Sequence, residues 1–273
     1  MAGFSAAAIA YGSWRRRDST AEIHARLEAG RLPIEGKTYR SAELAGLPEP
    51  IRRYFEAVLK DGQPMVAAVD MEQTGTFNVS ETGERWRPFT SSQRIITRRP
   101  GFVWDARIRI APGLSVRVHD AYAAGEGILH AALLGWIPLA DLRGTPEAAR
   151  GQLMRFLAEA ACYPTALLPS QGIRWESADD HSATATLGMG ETAVTMRFRF
   201  NENGLIESVR AEARGRILAG RLTPTPWEGR WSRYEQHAGI LVPVEGEVSW
   251  VLPEGPRPYW RGRITRIAWE FAR

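Results

Sequence analysis

The chain has 273 residues, of which 44% are hydrophobic and 24% are charged. These proportions are ordinary for a globular protein and exclude wholesale disorder and a polytopic membrane protein. The net charge is only +4, and the arginines alternate with acids instead of forming a block that could follow a nucleic-acid backbone, so no nucleic-acid partner is expected. A single cysteine, Cys162, excludes an intramolecular disulfide framework and a cysteine-rich zinc module.

Two residue types are unusually frequent. Of the 35 basic residues only Lys37 and Lys60 are lysines, so 33 are arginines. Either coding bias in a GC-rich genome or a surface that recognises carboxylate or phosphate groups would explain this excess of arginine. Tryptophan occurs ten times, which indicates either the core and rim of a large β structure or the lining of an apolar or sugar-binding cavity. The tryptophans are Trp14, Trp86, Trp104, Trp136, Trp175, Trp227, Trp231, Trp250, Trp260 and Trp269.

The N-terminal segment 2–14 is almost uncharged and is followed by Arg15, Arg16 and Arg17. A helix of that length spans about 20 Å, short of the roughly 30 Å hydrocarbon core of a bilayer. A secretory signal has its positive charges before the apolar run, not after it. We interpret the segment as a membrane contact or the end of an anchor, with a short packed helix or a frayed end as the alternative. The corresponding location is membrane-associated or, alternatively, cytoplasmic.

Two helices are predicted ahead of the first strand. The first covers residues 19–30, with Ser19 or Thr20 as its cap. A connector over residues 31–47 leads to the second, Pro48–Lys60, whose apolar side chains follow the i, i+3, i+4, i+7 spacing of an amphipathic helix.

A third helix is predicted between two blocks of strands. Thr145 is its N-cap candidate, Pro146 occupies the first turn, and the helix is expected to stop before Pro164.

From Met65 onward the apolar period changes to two, which is typical of strands with one buried face. We predict a mainly β (α+β) fold: a strongly curved antiparallel sheet or half-barrel of about ten strands, covered on one face and wet on the other, wrapped around one or two helices. Residues 1–47 are assigned to an N-terminal segment and residues 48–273 to a single curved-sheet domain. The predicted strands lie near 69–77, 104–110, 116–118, 183–187, 194–200, 205–217, 227–237, 240–252 and 258–271.

Polar side chains interrupt strand faces that are otherwise apolar, and a buried polar group needs a partner. If the sheet curls over the central helix, these groups converge on its concave side as a structural polar network, a ligand site or a catalytic site, although a β-bulge would reverse the assignment. They are Gln73, Asp120, Tyr122, Arg233 and Glu235 on strands, and Arg155 and Glu159 four residues apart on the helix.

Motifs for common chemistry are missing from the sequence. It has no Gly-x-Gly-x-x-Gly or phosphate-binding loop, no His-Glu-x-x-His and no Gly-x-Ser-x-Gly. We therefore predict neither a cofactor nor a metal, and we interpret Cys162 as a small buried hydrophobe and not as a nucleophile.

Several segments, in their order and spacing, resemble a bacterial protein family of unknown function over about residues 45–271. They are Leu47-Pro-Glu-Pro-Ile-Arg-Arg-Tyr54, Phe102-Val-Trp-Asp-Ala106, His119-Asp-Ala-Tyr122 with Gly125-x-Gly127, Arg155-Phe-Leu-Ala-Glu159, Pro226-Trp-Glu-Gly229 with Tyr234, and Val248-Ser-Trp250. The resemblance implies a half-barrel similar to the LolA/LolB and LppX-like lipoprotein and lipid carriers, and an N-terminal membrane anchor that is truncated here. It implies no activity. The positions that match the polar motifs are Asp105, Asp120, Tyr122, Arg155 and Glu159.

Three functions fit these features. We favour the binding or carrying of an apolar, lipid-like ligand in a tryptophan-lined cavity of several hundred Å³ between sheet and helices. A cofactor-independent hydrolase, lyase or isomerase would use Asp120 or Glu159 as the base and Arg155 as an electrostatic stabiliser. A protein-interaction module would dock through the outward arginines Arg107, Arg109, Arg197 and Arg199. The candidate ligand-binding residues are Trp104, Asp105, Asp120, Tyr122, Arg155, Glu159, Trp227, Trp231 and Trp250.

Overall fold

A single antiparallel sheet dominates the computed structural model, which describes residues 20–34, 36–135, 137–218 and 220–272. Within those residues it has 13 strands. They are β1 (Val66–Asn78), β2 (Trp86–Ile96), β3 (Gly101–Ala111), β4 (Leu114–Ala123), β5 (Glu126–Leu133), β6 (Ile137–Arg143), β7 (Ile173–Asp179), β8 (Ser182–Met189), β9 (Thr192–Phe200), β10 (Ile206–Leu218), β11 (Arg221–His237), β12 (Ile240–Leu252) and β13 (Gly255–Phe271).

The sheet consists of two meanders, β1–β6 and β7–β13, in which each strand pairs with the next one in sequence. β1 pairs antiparallel with β13 and so joins the two meanders at the centre of the sheet, leaving β6 and β7 as the two edges.

The helices are α1 (residues 20–29), α2 (Glu49–Val58) and α3 (Pro146–Glu159), with 3-10 turns at Ser41–Leu44, Ala160–Cys162, Pro164–Leu167 and Pro169–Gln171. The start of α3 is as predicted, because the Thr145 hydroxyl accepts a hydrogen bond from the Ala148 N–H at 3.1 Å and Pro146 occupies the first turn. Its α-helical part ends at Glu159, and the 3-10 turns continue the chain towards β7.

Helix α3 carries the chain across the concave face from edge strand β6 towards edge strand β7. It contacts β3, β4 and β5 on one side and β9 and β10 on the other. Because these strand groups lie in opposite halves of the sheet, the sheet curls around the helix. β5 approaches α3 closely at Gly127, where a Cβ atom would lie 2.3 Å from the Ala148 backbone.

The bend at the centre of the sheet depends on a row of glycines. Gly75, Gly262 and Gly246 are paired across β1, β13 and β12. A Cβ atom on Gly75 would lie 1.9 Å from the Arg261 carbonyl oxygen, and one on Gly246 would lie 2.7 Å from the Trp231 ring. The missing side chains therefore let the strands bend and let an indole ring lie flat on the concave face.

The main core fills the concave side. Ile51, Tyr54 and Phe55 of α2 are fully buried there. Tyr39 and Leu44, in the segment predicted to be a connector, belong to the same core. The boundary at residue 47 remains a prediction.

The predicted mainly β fold with an antiparallel sheet is confirmed, but the expected number of about ten strands is too low. The strands missing from the predicted set are β2, β5, β6 and β7. β2 was missed because its inward positions include the polar Ser91 and Gln93, and β6 because it is an edge strand with little burial on either face.

The convex face was predicted to be exposed to solvent, but part of it is buried. Helix α1 packs there on a second apolar cluster, which consists of Ile23, Leu27, Ala68, Ile96, Val103, Ala121, Ala123 and Ile128. The helix covers alanines and branched aliphatic residues at outward positions of the strands. Because many of these side chains are small, their pattern in the sequence does not differ from that of residues that face solvent.

Among the described residues, no helix has the length and apolar character needed to span a membrane. The proposed membrane segment 2–14, the arginines that follow it, the cap candidate Ser19 and the tryptophans Trp14 and Trp136 lie outside the described residues. Membrane contact and cellular location therefore stay predictions.

Candidate functional site

A cavity of about 410 Å³ lies between α3 and the concave face of the sheet. It is lined by the tryptophans Trp104, Trp227, Trp231, Trp250 and Trp260, together with Tyr259, Phe77, Val118, Leu129 and Val248. It opens at one end of the sheet, where the β1–β2, β10–β11 and β12–β13 turns lie side by side; we call this end the mouth.

The polar part of the cavity wall is built on α3. Arg155 donates from Nε to Oε1 of Glu159 and from Nη1 to Oδ2 of Asp120, both at 2.7 Å. Gln93 Nε2 donates to Oε2 of Glu159 at 2.6 Å, and Gln152 Nε2 donates to Oδ1 of Asp120 at 3.1 Å. Each of the four carboxylate oxygens thus accepts a hydrogen bond. We call these five residues the Arg155 network.

The side chain of Arg155 is 13% exposed, and its guanidinium lies 4.7 Å from the ring centroid of Trp104 and 5.0 Å from that of Phe102. Burial alone would lower the pKa of this guanidinium, but the carboxylates of Glu159 and Asp120 raise it above its ordinary value. The guanidinium therefore stays charged, and the network links α3 to β2 and β4.

Trp104 connects the network to a second group of buried polar side chains. Its indole N–H donates to Oε1 of Gln73 at 2.9 Å, and the Ser91 hydroxyl donates to the same oxygen at 3.1 Å. Gln73, whose inward position in an apolar strand was predicted from the sequence, therefore orients the ring that packs on Arg155.

At the mouth, two further arginines lie on the cavity wall. A register shift between Ala211 and Arg214 is followed by Arg214 and Arg216 at alternate wall positions. Their guanidinium groups lie 4.7 Å and 5.7 Å from the ring centroids of Trp227 and Trp250.

Tyr259 completes the aromatic wall. Its hydroxyl accepts a hydrogen bond from the Trp227 indole N–H at 2.9 Å, and its ring stacks on Trp250 with centroids 5.6 Å apart. This contact fixes two of the tryptophans that were proposed as ligand-binding residues.

The structure brings most of the proposed site residues to the cavity wall: Trp104, Asp120, Arg155, Glu159, Trp227, Trp231 and Trp250. Asp105 does not belong to this group, because adjacent residues of a strand point to opposite faces, and it lies on the convex side with His24 of α1 nearby. Tyr122 points inward but is fully buried in the core and does not line the cavity. The binding roles themselves remain predictions.

Arg233 and Glu235 do not converge with the others, so that expectation was wrong. Arg233 has a φ of 53°, which interrupts the inward–outward alternation of β11. Its guanidinium is exposed and pairs with Glu235 at 3.1 Å and with Glu245 at 3.2 Å. Tyr234 takes the inward orientation, and its hydroxyl donates to the Ile206 carbonyl at 2.7 Å.

Cys162 is buried, as the sequence suggested, and lies beyond the end of α3. Its thiol is 3.8 Å from the Pro243 carbonyl oxygen, and burial raises the pKa of the thiol well above its ordinary value. Burial and a raised pKa both disfavour the thiolate form that a nucleophile needs. Asp120 and Glu159 share one guanidinium, and catalysis by them stays a prediction.

Among the wall or network residues that sequence reasoning missed are Gln93, Gln152, Arg214 and Arg216. Gln93 alternates with Phe89 and Ile95, so the parity argument applied to Gln73 would have found it. The arginines carry no such signal, because a register shift precedes them on β10.

In the described ranges, no group of three or more His, Cys, Asp or Glu side chains is arranged to hold a metal ion.

Comparisons with known proteins gave similar solved structures and a matching family model. The chain is similar to a LolA superfamily protein from Nitrosomonas europaea, with 11% identity, a TM-score of 0.42 and coverage of 80% of this chain and 90% of that one. It is also similar to a DUF1329 family protein from Desulfovibrio piger, with 11% identity, a TM-score of 0.33 and coverage of 75% and 86%. No functionally curated protein matches the chain. Residues 45–269 match the model of a family of unknown function, DUF6920, and the chain belongs to that family.

Proposed function

We propose that the protein binds or carries one apolar, lipid-like ligand in the cavity between α3 and the sheet. The observation that carries this proposal is the cavity itself, about 410 Å³ walled by indole rings. Ligand pockets have volumes of about 300–1,000 Å³ and apolar walls with a few placed polar groups.

The contrast with the rest of the interior supports a binding role. Protein cores are close-packed, and apolar side chains beside empty space lose dispersion contacts. Trp227, Trp231 and Trp250 border the cavity, so they make fewer dispersion contacts than they would around a smaller cavity. A ligand that covers their faces restores those contacts.

The polar wall favours an amphiphile over a plain hydrocarbon. The Arg155 network lines one side of the cavity, whereas the opposite side is aromatic. At the mouth, Val79 is 40% and Ile217 39% exposed. Apolar side chains at the rim suit a ligand that arrives from an apolar phase, and they are compatible with contact between the mouth and a membrane.

Native mass spectrometry and titration with the neutral apolar dye N-phenyl-1-naphthylamine test the proposal. We expect a stoichiometric apolar adduct after purification, or a dye site whose fluorescence rises on binding. Val248→Trp puts a large ring on the cavity wall and should weaken dye binding at least about tenfold, which corresponds to about 1.4 kcal/mol.

Val251→Trp is the matched control, because it makes the same change on the same strand at a half-buried position that does not line the cavity. The proposal is overturned if the dye binds equally to the wild type and the Val248→Trp variant, or if the wild type binds no dye and carries no adduct.

A further inference from the structure

We infer that the mouth is a recognition site for an anionic head group, and that Arg214 and Arg216 bind it. This inference rests on the proposed function and narrows its ligand class to amphiphiles with a carboxylate or phosphate head. Three features support it: the position of the two arginines, their lack of carboxylate partners, and the aromatic faces that orient them.

The position is the first feature. Arg214 and Arg216 lie two residues apart on β10 and both line the cavity near its open end. Arg257 of β13 lines the same end of the cavity. Three arginines thus line the cavity at the mouth, while the rest of its lining includes the tryptophan rings. A ligand with an apolar tail in the cavity would place its head group at their level.

The second feature is the missing counter-charge. Arg155, deeper in the same wall, pairs with two carboxylates at 2.7 Å. Within the described chain, neither Arg214 nor Arg216 has a carboxylate oxygen within 4.0 Å, although Glu81 and Glu147 also line the cavity. Fully exposed arginines without partners are ordinary because water solvates them, but these two are half-buried.

The third feature is orientation. The Arg214 guanidinium lies 4.7 Å from the ring centroid of Trp227. The Arg216 guanidinium lies 5.7 Å from the ring centroid of Trp250. An aromatic face attracts the cation and leaves the N–H groups at the edge of the guanidinium available. Those edges match carboxylate and phosphate oxygens in a bidentate geometry, which a cationic or neutral head group cannot use.

Displacement of bound N-phenyl-1-naphthylamine tests the inference with four ligands of equal chain length: dodecanoate, dodecyl phosphate, dodecanol and dodecyltrimethylammonium. In the wild type, one or both anionic ligands should displace the dye at about tenfold lower concentration than the other two. The relative potency of dodecanoate and dodecyl phosphate identifies the head group.

The Arg214→Gln/Arg216→Gln variant should lose this preference and still bind the dye. Arg197→Gln/Arg199→Gln is the matched control, because those arginines also alternate along a strand but are exposed on the outer face; it should retain the preference. The inference is overturned if the wild type shows no preference for anions, if the preference survives in the Arg214→Gln/Arg216→Gln variant, or if inorganic phosphate displaces the dye as well as dodecyl phosphate does. Failure of the proposed function is a separate result, because the wild type would then not bind the dye or the Val248→Trp variant would bind it equally well.

Discussion

Two arginines on the same cavity wall, Arg155 and Arg214, differ in whether carboxylates of the protein pair with them. Arg155 packs on Trp104 and is bonded to two carboxylates, each of which also accepts a hydrogen bond from a glutamine amide. Arg214 packs on Trp227 in the same way, but no described carboxylate pairs with it. A cation–π contact alone therefore does not distinguish a structural arginine from a binding one. The presence or absence of internal counter-charges does.

This difference predicts a large loss of stability when Arg155 is replaced by alanine and a small loss when Arg214 is. Arg155→Ala leaves Asp120 and Glu159 buried without a counter-ion, and breaking a buried pair costs about 3–5 kcal/mol. Arg214→Ala removes no ion pair, only the packing on Trp227, and should cost about 0.5–1 kcal/mol. Urea denaturation of both variants measures the difference.

Cys162 provides an independent readout of the same comparison. Its thiol is buried just beyond α3, so a thiol reagent reaches it only when this region opens. Labelling should accelerate in the Arg155→Ala variant and stay at the wild-type rate in the Arg214→Ala variant. Equal stability and equal labelling in the two variants would contradict a structural role for the Arg155 network.

A smaller but still large effect is expected from the glycine row, which lies at the bend of the sheet and against the wall residue Trp231. In Gly75→Ala the new methyl group would lie 1.9 Å from the Arg261 carbonyl oxygen, so β1 and β13 must separate. Overpacking of this kind costs about 1–3 kcal/mol. Thermal unfolding and dye affinity should both decrease.

Gly188→Ala is the control, because a Cβ atom there meets no heavy atom within 4 Å and the backbone has no positive φ. It should be nearly neutral in both measurements. If Gly75→Ala were equally neutral, the bend of the sheet would not depend on this close approach.

The sequence allowed part of the site to be predicted. Period-two alternation identified Asp120 as an inward carboxylate, and the i, i+4 spacing identified Arg155 and Glu159 as a pair on one helix face; all three meet in the structure. Such local rules work where strands are regular. They failed at Arg233, because a positive φ at a non-glycine residue has no sequence signal.

Other site residues could not be predicted because their positions depend on contacts between distant parts of the chain. Arg214 reaches the wall after a register shift on β10, and Gln152 meets Asp120 only because the sheet curls around α3. Neither follows from a local pattern. The joining of the two meanders by pairing of β1 with β13 likewise depends on the whole chain and not on either strand alone.

A third arginine, Arg94 on the convex face, gives the smallest expected effect and sharpens the comparison. It pairs with Glu28, Asp70 and Glu270 at 2.7–2.8 Å, but those carboxylates are 42–63% exposed. Water competes for such pairs, so each contributes only about 0–1 kcal/mol. Arg94 has three carboxylate partners where Arg155 has two, and its own side chain is equally buried, but its partners are far more exposed.

Hydrogen bonds from Arg31 and Arg94 lower the pKa of the Glu270 carboxyl below its ordinary value. A carboxyl whose folded pKa is depressed contributes stability above its unfolded pKa, and that contribution is lost as the pH falls through the folded pKa. Glu270→Gln should therefore destabilise the protein by about 1 kcal/mol or less near pH 7, and the difference from the wild type should shrink towards about pH 3. Urea denaturation at both pH values measures it, with Glu191→Gln in the exposed β8–β9 turn as the control. A difference that is the same at both pH values would assign the effect to packing, and burial would then not be what separates the Arg94 site from the Arg155 network.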